Sequence, residues 1–226
     1  MPYERKVVTT EDKSSTVYIP ELGECYHSSR GAVRESEHIF IENGLKYIYD
    51  KSDKEINILE LGFGTGLNAY LSLIFSVRNG IPVFYHTVEK FPLSGKEWKA
   101  LNYPALIDCG DADSFSKLHE APWDSRQTIC HRFSIFKQKE DFRRINPEYG
   151  KYDCIYFDAF SPNAQPELWT EEVFSLCNKA LKHNGILVSY CVKGKVKAIL
   201  RDSGFKVYRL PGPPGKREML RAQKIA

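Results

Sequence analysis

From Ile56 onward, apolar runs alternate with amphipathic stretches. Ile56 to Leu61 is a short apolar run bounded by Gly62, and it predicts a buried strand. Leu67 to Val77 sets Leu67, Tyr70, Leu71 and Ile74 at helical spacing. The rhythm continues with a strand at Val83 to Val88, a helix at Leu93 to Leu101, and strands at Arg132 to Phe136 and Tyr152 to Asp158. A long amphipathic helix at Glu167 to Leu181, a strand at Gly185 to Val192 and a short helix at Lys195 to Ser203 follow. Such alternation predicts a doubly wound, mostly parallel α/β sheet wrapped by helices. Phe205 to Arg209 and Glu218 to Ala222 are strand-like, with a Pro- and Gly-rich segment between them and no room for a helix. They are expected to close the sheet as an antiparallel hairpin.

The first fifty residues follow another pattern. Val7 to Thr10 and Thr16 to Ile19 are β-prone runs flanking the polar turn Glu11-Asp12-Lys13, which suggests a hairpin. A helix is expected near Arg34 to Tyr47. Residues 1–50 therefore read as a small extension packed on a main domain of residues 51–226. A length of 226 residues suits one such domain. No stretch reaches the ~18 consecutive apolar residues of a membrane span, and the first ten residues contain no apolar signal core. A cytoplasmic protein without membrane attachment is expected. The six cysteines form no C-x-x-C pair, so they are read as reduced and structural and no metal is expected. A net charge of +3 permits a nucleic-acid partner without requiring one.

The most informative segment is Ile58-Leu59-Glu60-Leu61-Gly62-Phe63-Gly64-Thr65-Gly66, which joins a predicted strand to a predicted helix. Glycines there permit a tight turn and close ligand approach, and the helix start offers free N–H groups. A dinucleotide fingerprint needs Gly or Ala where this chain has Leu67. No Gly-Lys-Ser/Thr follows, so a phosphate-binding P-loop is excluded. A nucleoside-type cofactor fits, with Glu60, Gly62, Phe63, Gly64, Thr65 and Gly66 as candidate contacts; a ligand-free structural turn is the plain alternative. Glu89 ends the second strand, where a carboxylate can accept both ribose hydroxyls; it can equally be a strand-end charge paired with Lys90. Asp141, after the third strand, is placed to meet an adenine amino group, although Glu140 is adjacent and either residue can act as a helix cap.

Asp158 ends the fourth strand and is expected at the same crevice as Glu60 and Glu89. The G-x-G-x-G spacing after Glu60 resembles the first motif of Rossmann-like methyltransferases, and the methyl transfer this implies, from a sulfonium, requires an aligned nucleophile and exclusion of water. An amine nucleophile must also lose a proton, which Asp158 can orient or accept. A helix-capping aspartate is the plain alternative, weakened by the intervening Phe160-Ser161-Pro162.

Four segments occur together: Glu60 to Gly66, Asp158 to Pro162, Pro166-Glu167-Leu168-Trp169 and Lys216-Arg217-Glu218-Met219. With Tyr26-His27-Ser28, Gly31 and Glu35 to Phe40, this set resembles the MnmD/MnmC-type tRNA methyltransferases over roughly residues 20–220. The resemblance implies a Rossmann-like class I methyltransferase fold with S-adenosylmethionine as cofactor. It further implies N-methylation of 5-aminomethyl-(2-thio)uridine at the tRNA wobble position. The bifunctional relatives carry a flavin-dependent oxidase domain, for which a chain ending at Ala226 leaves no room, so that second activity is not expected. The third-strand region departs from the Gly-Asp-Ala pattern of the bifunctional form, which leaves the adenine contact at Asp141 open.

Other residues carry paired readings. Lys216 and Arg217 can hold tRNA phosphates or form an exposed basic hairpin. Lys193, Lys195, Lys197 and Arg201 can do the same or be a solvated face. Tyr26, Phe40 and Phe160 can stack on an extruded uracil or belong to the core. Glu35 and Ser161 are further acceptor-side candidates, whereas His38 and Trp169 read as packing residues. The competing functions are a small-molecule amine methyltransferase or aminopropyltransferase on the same scaffold, and an RNA-binding module with a degenerate pocket. The Gly62-Phe63-Gly64-Thr65-Gly66 turn differs from the Gly-Gly-Gly-Asp-Gly turn usual in aminopropyltransferases.

Overall fold

The computed structural model describes residues 3–51 and 54–225, so Met1, Pro2, Ser52, Asp53 and Ala226 of the expected extension and domain lie outside the described residues. Its strands are β1 (Lys6–Thr9), β2 (Ser15–Ile19), β3 (Glu24–Cys25), β4 (Ile56–Leu61), β5 (Val83–Val88), β6 (Arg126–Cys130), β7 (Phe133–Gln138), β8 (Tyr152–Phe157), β9 (Leu181–Ser189), β10 (Phe205–Pro211) and β11 (Glu218–Lys224). Its α-helices are α1 (Ala32–Ser36), α2 (Lys46–Tyr49), α3 (Leu67–Asn79), α4 (Gly95–Lys99), α5 (Tyr103–Leu106), α6 (Ala112–Glu120), α7 (Glu171–Ala180) and α8 (Gly194–Asp202).

Among the described residues one eight-stranded sheet has the order β10-β11-β9-β8-β4-β5-β7-β6. The strands from β9 to β7 run parallel, while β11, β10 and β6 add antiparallel edges. This is the expected doubly wound sheet with its terminal hairpin. β5 is buried along its whole length, as a parallel strand covered on both faces must be. The two faces follow the period of two. Ile56 and Ile58 join the core under α3, whereas Leu59 and Leu61 join the core under α7 and α8. β4 sits centrally between β5 and β8, so the chain departs in opposite directions on its two sides. A crevice opens there beyond the strands' carboxyl ends.

Several element readings change. The N-terminal helix is continuous from α1 through a π-helix (Glu37–Leu45) into α2. The wider π turn shows in Lys46 N–H, which donates to Ile41 five residues back. The helix expected at Leu93 to Leu101 contracts to α4, started by a Ser94–Glu97 capping box. Helices α5 and α6 and strand β6 had no expected counterpart. The stretch from Glu167 to Leu181 divides into a 3-10 turn (Pro166–Leu168) and α7, which begins after its Thr170 cap. The six cysteines are unpaired, and Cys154, Cys177 and Cys191 are buried.

The extension forms an antiparallel sheet of β1, β2 and β3, and the π-helix packs on β8, β9 and α3. Asp12, in the β1–β2 turn, is the joint. Its carboxylate accepts from Thr10 Oγ1 at 2.7 Å, Ser14 N at 3.0 Å and Arg34 N at 3.2 Å, the last in the first turn of α1. These donors hold its pKa below the ordinary value against the opposing cost of burial. The stabilisation is therefore present above the unfolded pKa and lost as pH falls through the depressed folded value. Asp12→Ala is expected to cost about 1–2 kcal/mol at pH 7, with the deficit shrinking toward pH 3, as read by urea unfolding at both pH values.

Candidate functional site

The glycine turn follows β4 at the crevice. Gly62 and Gly64 have φ of 89° and 51°, a region that side chains disfavour. A Cβ on Gly62 would sit 3.2 Å from the Asp158 carbonyl, and one on Gly64 would sit 3.0 Å from the Tyr26 ring. Gly62, Phe63, Gly64 and Thr65 line one cavity together with Glu89, Lys90, Asp141, Asp158, Tyr26 and Phe160. Gly66 turns away from that lining: its Cβ position faces His119 Nε2 at 2.8 Å, and it starts α3.

Glu60 requires a correction. It does not line the cavity but lies buried beneath it, accepting from Thr87 Oγ1 at 2.7 Å. Burial pushes its carboxyl up to about 8, opposed by the Thr87 hydroxyl. The reason is strand alternation, because Glu60 shares the Ile56 and Ile58 face of β4.

Glu89 reaches the lining from the end of β5. Its Oε2 accepts Gly64 N–H at 3.1 Å and its Oε1 accepts Phe91 N–H at 2.7 Å, so it ties the glycine turn to the next loop. Lys90 pairs with Asp141 at 3.0 Å rather than with Glu89. Asp141 caps the 3-10 turn Phe142–Arg144 and also accepts from Arg143 Nη2 at 2.6 Å. The Arg143 side chain holds the Asp141 carboxyl well below the usual carboxylate range. With its oxygens engaged by two cations, the Asp141 side chain serves as a cap. The structure shows the capping arrangement, and Asp141 lines the cavity together with Glu140 and Phe142.

Asp158 follows β8 and accepts from Asn68 Nδ2 at 2.8 Å. Burial raises its carboxyl to about 7, and the Asn68 hydrogen bond opposes the rise. Tyr26 and Phe160 meet edge to face beside it, ring centroids 5.1 Å apart, whereas Phe40 is buried in the core. Glu35 and Lys216 form an ion pair, and both act electrostatically on Asp158. Glu35 also accepts Ser28 N–H at 2.7 Å. Ser161 donates its hydroxyl to Glu24 and fixes the loop after β8 to β3. Neither this serine nor the Glu35–Lys216 pair lines the cavity, and Arg217 is exposed outside it.

Sequence reasoning missed Asn68, Gln165 and His27. Gln165 accepts Phe160 N–H at 3.3 Å, and Trp169 Nε1 donates to Phe160 O at 2.8 Å, so both aim the aromatic loop. His27 approaches Thr65 and Thr16 at 3.5 Å and 3.1 Å, and burial lowers its pKa to about 4. Asn68 had a usable signal: a polar residue one position into an otherwise apolar helix. Among the described residues no cluster of His, Cys, Asp or Glu could hold a metal ion, and no helix is long and apolar enough to cross a membrane.

A family model described as S-adenosyl-L-methionine-dependent methyltransferase matches residues 132–225. The chain is 29% identical over 219 residues to the tRNA 5-methylaminomethyl-2-thiouridine biosynthesis bifunctional protein MnmC of Nitrosospira multiformis, covering 92% of this chain and 35% of that protein. It is 26% identical over 233 residues to the protein of the same name from Aeromonas hydrophila, covering 94% and 34%. It thus spans about a third of the length of the curated relatives it matches. The crystal structure of MnmC2 from Aquifex aeolicus superposes with a TM-score of 0.79 at 29% identity, covering 100% of this chain and 71% of that one. The resemblance expected from the motifs is borne out, and the fold is that of the class I methyltransferases.

The lining suits S-adenosylmethionine. The positive-φ glycines leave backbone open to the cavity, Glu89 supplies an acidic group at the β5 end, and Leu61, Val88, Phe142 and Leu168 supply apolar wall. Gly64→Val should lower S-adenosylmethionine affinity more than tenfold by calorimetry, because the branched side chain strains the turn and displaces Tyr26. Asp158→Asn tests the burial of charge. Its folded pKa lies above the unfolded value near 3.8, so the wild-type fold loses stability as pH rises from there toward 7. The Asn variant should be more stable by about 2 kcal/mol at pH 8 and equal to wild type near pH 3, measured by thermal unfolding at each pH.

Proposed function

We propose that this chain, an S-adenosyl-L-methionine-dependent methyltransferase of the MnmC methyltransferase-domain kind, N-methylates 5-aminomethyl-(2-thio)uridine at the tRNA wobble position in the cytoplasm. The observation that carries this reading is Asp158. It is a buried carboxyl beside the glycine turn, with an aromatic pair on one side and a cationic hairpin on the other. The names of the relatives, which align over more than nine-tenths of the chain, agree with it.

The cofactor supplies a methyl group on a sulfonium, and Gly62 to Thr65 with Glu89 would hold it. The chain's own residues handle the acceptor. A primary ammonium, with a pKa of ~10 in water, carries no free lone pair. Asp158 would orient it by a hydrogen bond and accept its proton, and a carboxyl raised to about 7 is better matched to that transfer than an ordinary one. Tyr26 and Phe160 would pack against the flat base as one aromatic wall and exclude water. In this proposal residues 1–50 are the extension that supplies Tyr26 and Glu35 to the domain of residues 51–226.

The basic residues divide by their partners. Lys216 is neutralised by Glu35, so it would hold the hairpin near Asp158 rather than bind phosphate. The exposed Arg217 and Arg30, the latter lying over Gly215, are the better phosphate contacts. Arg217→Ala should weaken tRNA binding and reduce the slope of log K against log salt by about one, as measured by filter binding across a salt series.

The activity test combines labelled S-adenosylmethionine with tRNA lacking only this methyl group, followed by nucleoside analysis. Appearance of 5-methylaminomethyl-(2-thio)uridine is expected. Methylation of free amines with none of this tRNA would overturn the proposal in favour of a small-molecule enzyme. Asp158→Ala should abolish turnover while keeping cofactor affinity within a few-fold.

A further inference from the structure

Behind Asp158 lies a second buried acid that the mechanism above does not use. Glu60 is 1% exposed and Asn68 is 3% exposed. Asn68 occupies the first turn of α3 with Nδ2 on Asp158 at 2.8 Å. The two acids sense each other, and Asn68 lies within hydrogen-bonding reach of the Glu60 carboxyl. Two buried polar atoms in this neighbourhood have no partner among the described residues, Asn68 Oδ1 and Tyr85 Oη. Both belong to side chains beside Glu60. An orphaned buried acceptor is costly, so a partner is expected. An ionised Glu60 has no proton to give Asn68 Oδ1. A protonated Glu60 can supply that proton to Asn68 Oδ1, whereas the Tyr85 hydroxyl can donate to the Glu60 carboxyl in either protonation state.

We propose that Glu60 and Asn68 are positioning residues for Asp158: Glu60, kept as the neutral acid, donates its proton to Asn68 Oδ1 and so locks Nδ2 onto the carboxylate facing the methyl acceptor. The surroundings agree with this assignment. Burial raises both carboxyls, Glu60 to about 8 and Asp158 to about 7, which favours the neutral acid at Glu60 beneath the cavity. The other groups bearing on the pair are Glu35 from α1, Lys216 from the β10–β11 turn, Tyr190 after β9, Tyr85 on β5 and Tyr156 on β8. Lys216 is already matched by Glu35, and the three tyrosines have pKa values raised by burial and stay neutral. Glu60 and Asp158 are therefore left to titrate as a coupled pair. Loss of the Glu60 proton would bring a second negative charge toward Asp158 and release the amide that aims it.

The inference rests on the proposed role of Asp158, and its test does not require the substrate to be correct. In the full chain with side-chain carboxyls labelled by carbon-13, the Asp158 resonance is identified by its absence from Asp158→Asn. Wild type should show Asp158 titrating near neutrality with a second, coupled inflection about one unit higher. Asn68→Ala removes the hydrogen bond that favours the carboxylate and should move the Asp158 midpoint up by about half to one pH unit. Glu60→Gln keeps the size and the amide contact and should leave one inflection. An unmoved midpoint in Asn68→Ala, or a surviving second inflection in Glu60→Gln, would overturn the proposal. If Asn68→Ala does not fold, Glu60→Gln decides alone. On tRNA substrate, the acid limb of kcat/KM should shift upward with the Asp158 midpoint in Asn68→Ala while cofactor affinity stays within twofold. A residue needed only for packing would leave that limb in place. A wild-type enzyme inactive on tRNA but showing the paired titration would refute the substrate reading and leave this inference standing.

Discussion

Two parallel neighbours, β4 and β8, end side by side at the centre of the sheet while the chain leaves them toward opposite edges. No connection can cross the gap between their carboxyl ends, so a crevice is forced by topology. Gly62 and Asp158 stand on its two lips, close enough that a Cβ on Gly62 would touch the Asp158 carbonyl at 3.2 Å. The glycine turn and Asp158 are adjacent because the two strands are hydrogen-bonded neighbours. A group carried from one lip to the other needs no large motion.

That arrangement places carboxyls where water is scarce. Glu60, Asp158 and Glu35 converge under and beside the crevice. Each is treated differently: Glu35 is matched by Lys216, Asp158 is given one amide hydrogen bond, and Glu60 is given a hydroxyl from Thr87. Burial raises the Glu60 and Asp158 carboxyls above the ordinary range, and hydrogen bonds from Thr87 and Asn68 oppose that rise.

Much of this was legible in the sequence, for physical reasons that also mark its limit. Strands β4, β5 and β8 are apolar runs with sharp ends, so both their extents and the residues at their carboxyl ends could be read locally. Gly62, Gly64, Glu89 and Asp158 reached the cavity for that reason. Glu60 failed although its signal was present: the alternation that buries Ile56 and Ile58 on the α3 face also turns Glu60 away from the crevice. Asp141 also reached the cavity lining, but its hold by Arg143, two residues on, was not read from the sequence. Helices α5 and α6 went unread because their short apolar spacing is interrupted at Cys109 and Gly110. The Glu35–Lys216 and Glu24–Ser161 contacts join residues more than a hundred positions apart, and no local pattern encodes such pairs.

The extension differs in kind from the sheet it covers. The glycine turn and Glu89 belong to the central sheet and line the cavity from its side. Tyr26 comes from the first fifty residues and lines the same cavity, while Glu35 and Arg30 of that segment meet the β10–β11 hairpin outside it. Arg5 donates to the Phe91 and Pro92 carbonyls on the β5 side, and Glu24 holds Ser161 on the β8 side. The extension is thus fastened to both lips, with Tyr26 between them against Gly64. A segment tied across the cavity in this way shapes the entrance beside Tyr26 and Phe160. Loosening Arg5 or Glu24 would therefore change that entrance before it changed the glycine turn, because the turn is held separately by Glu89.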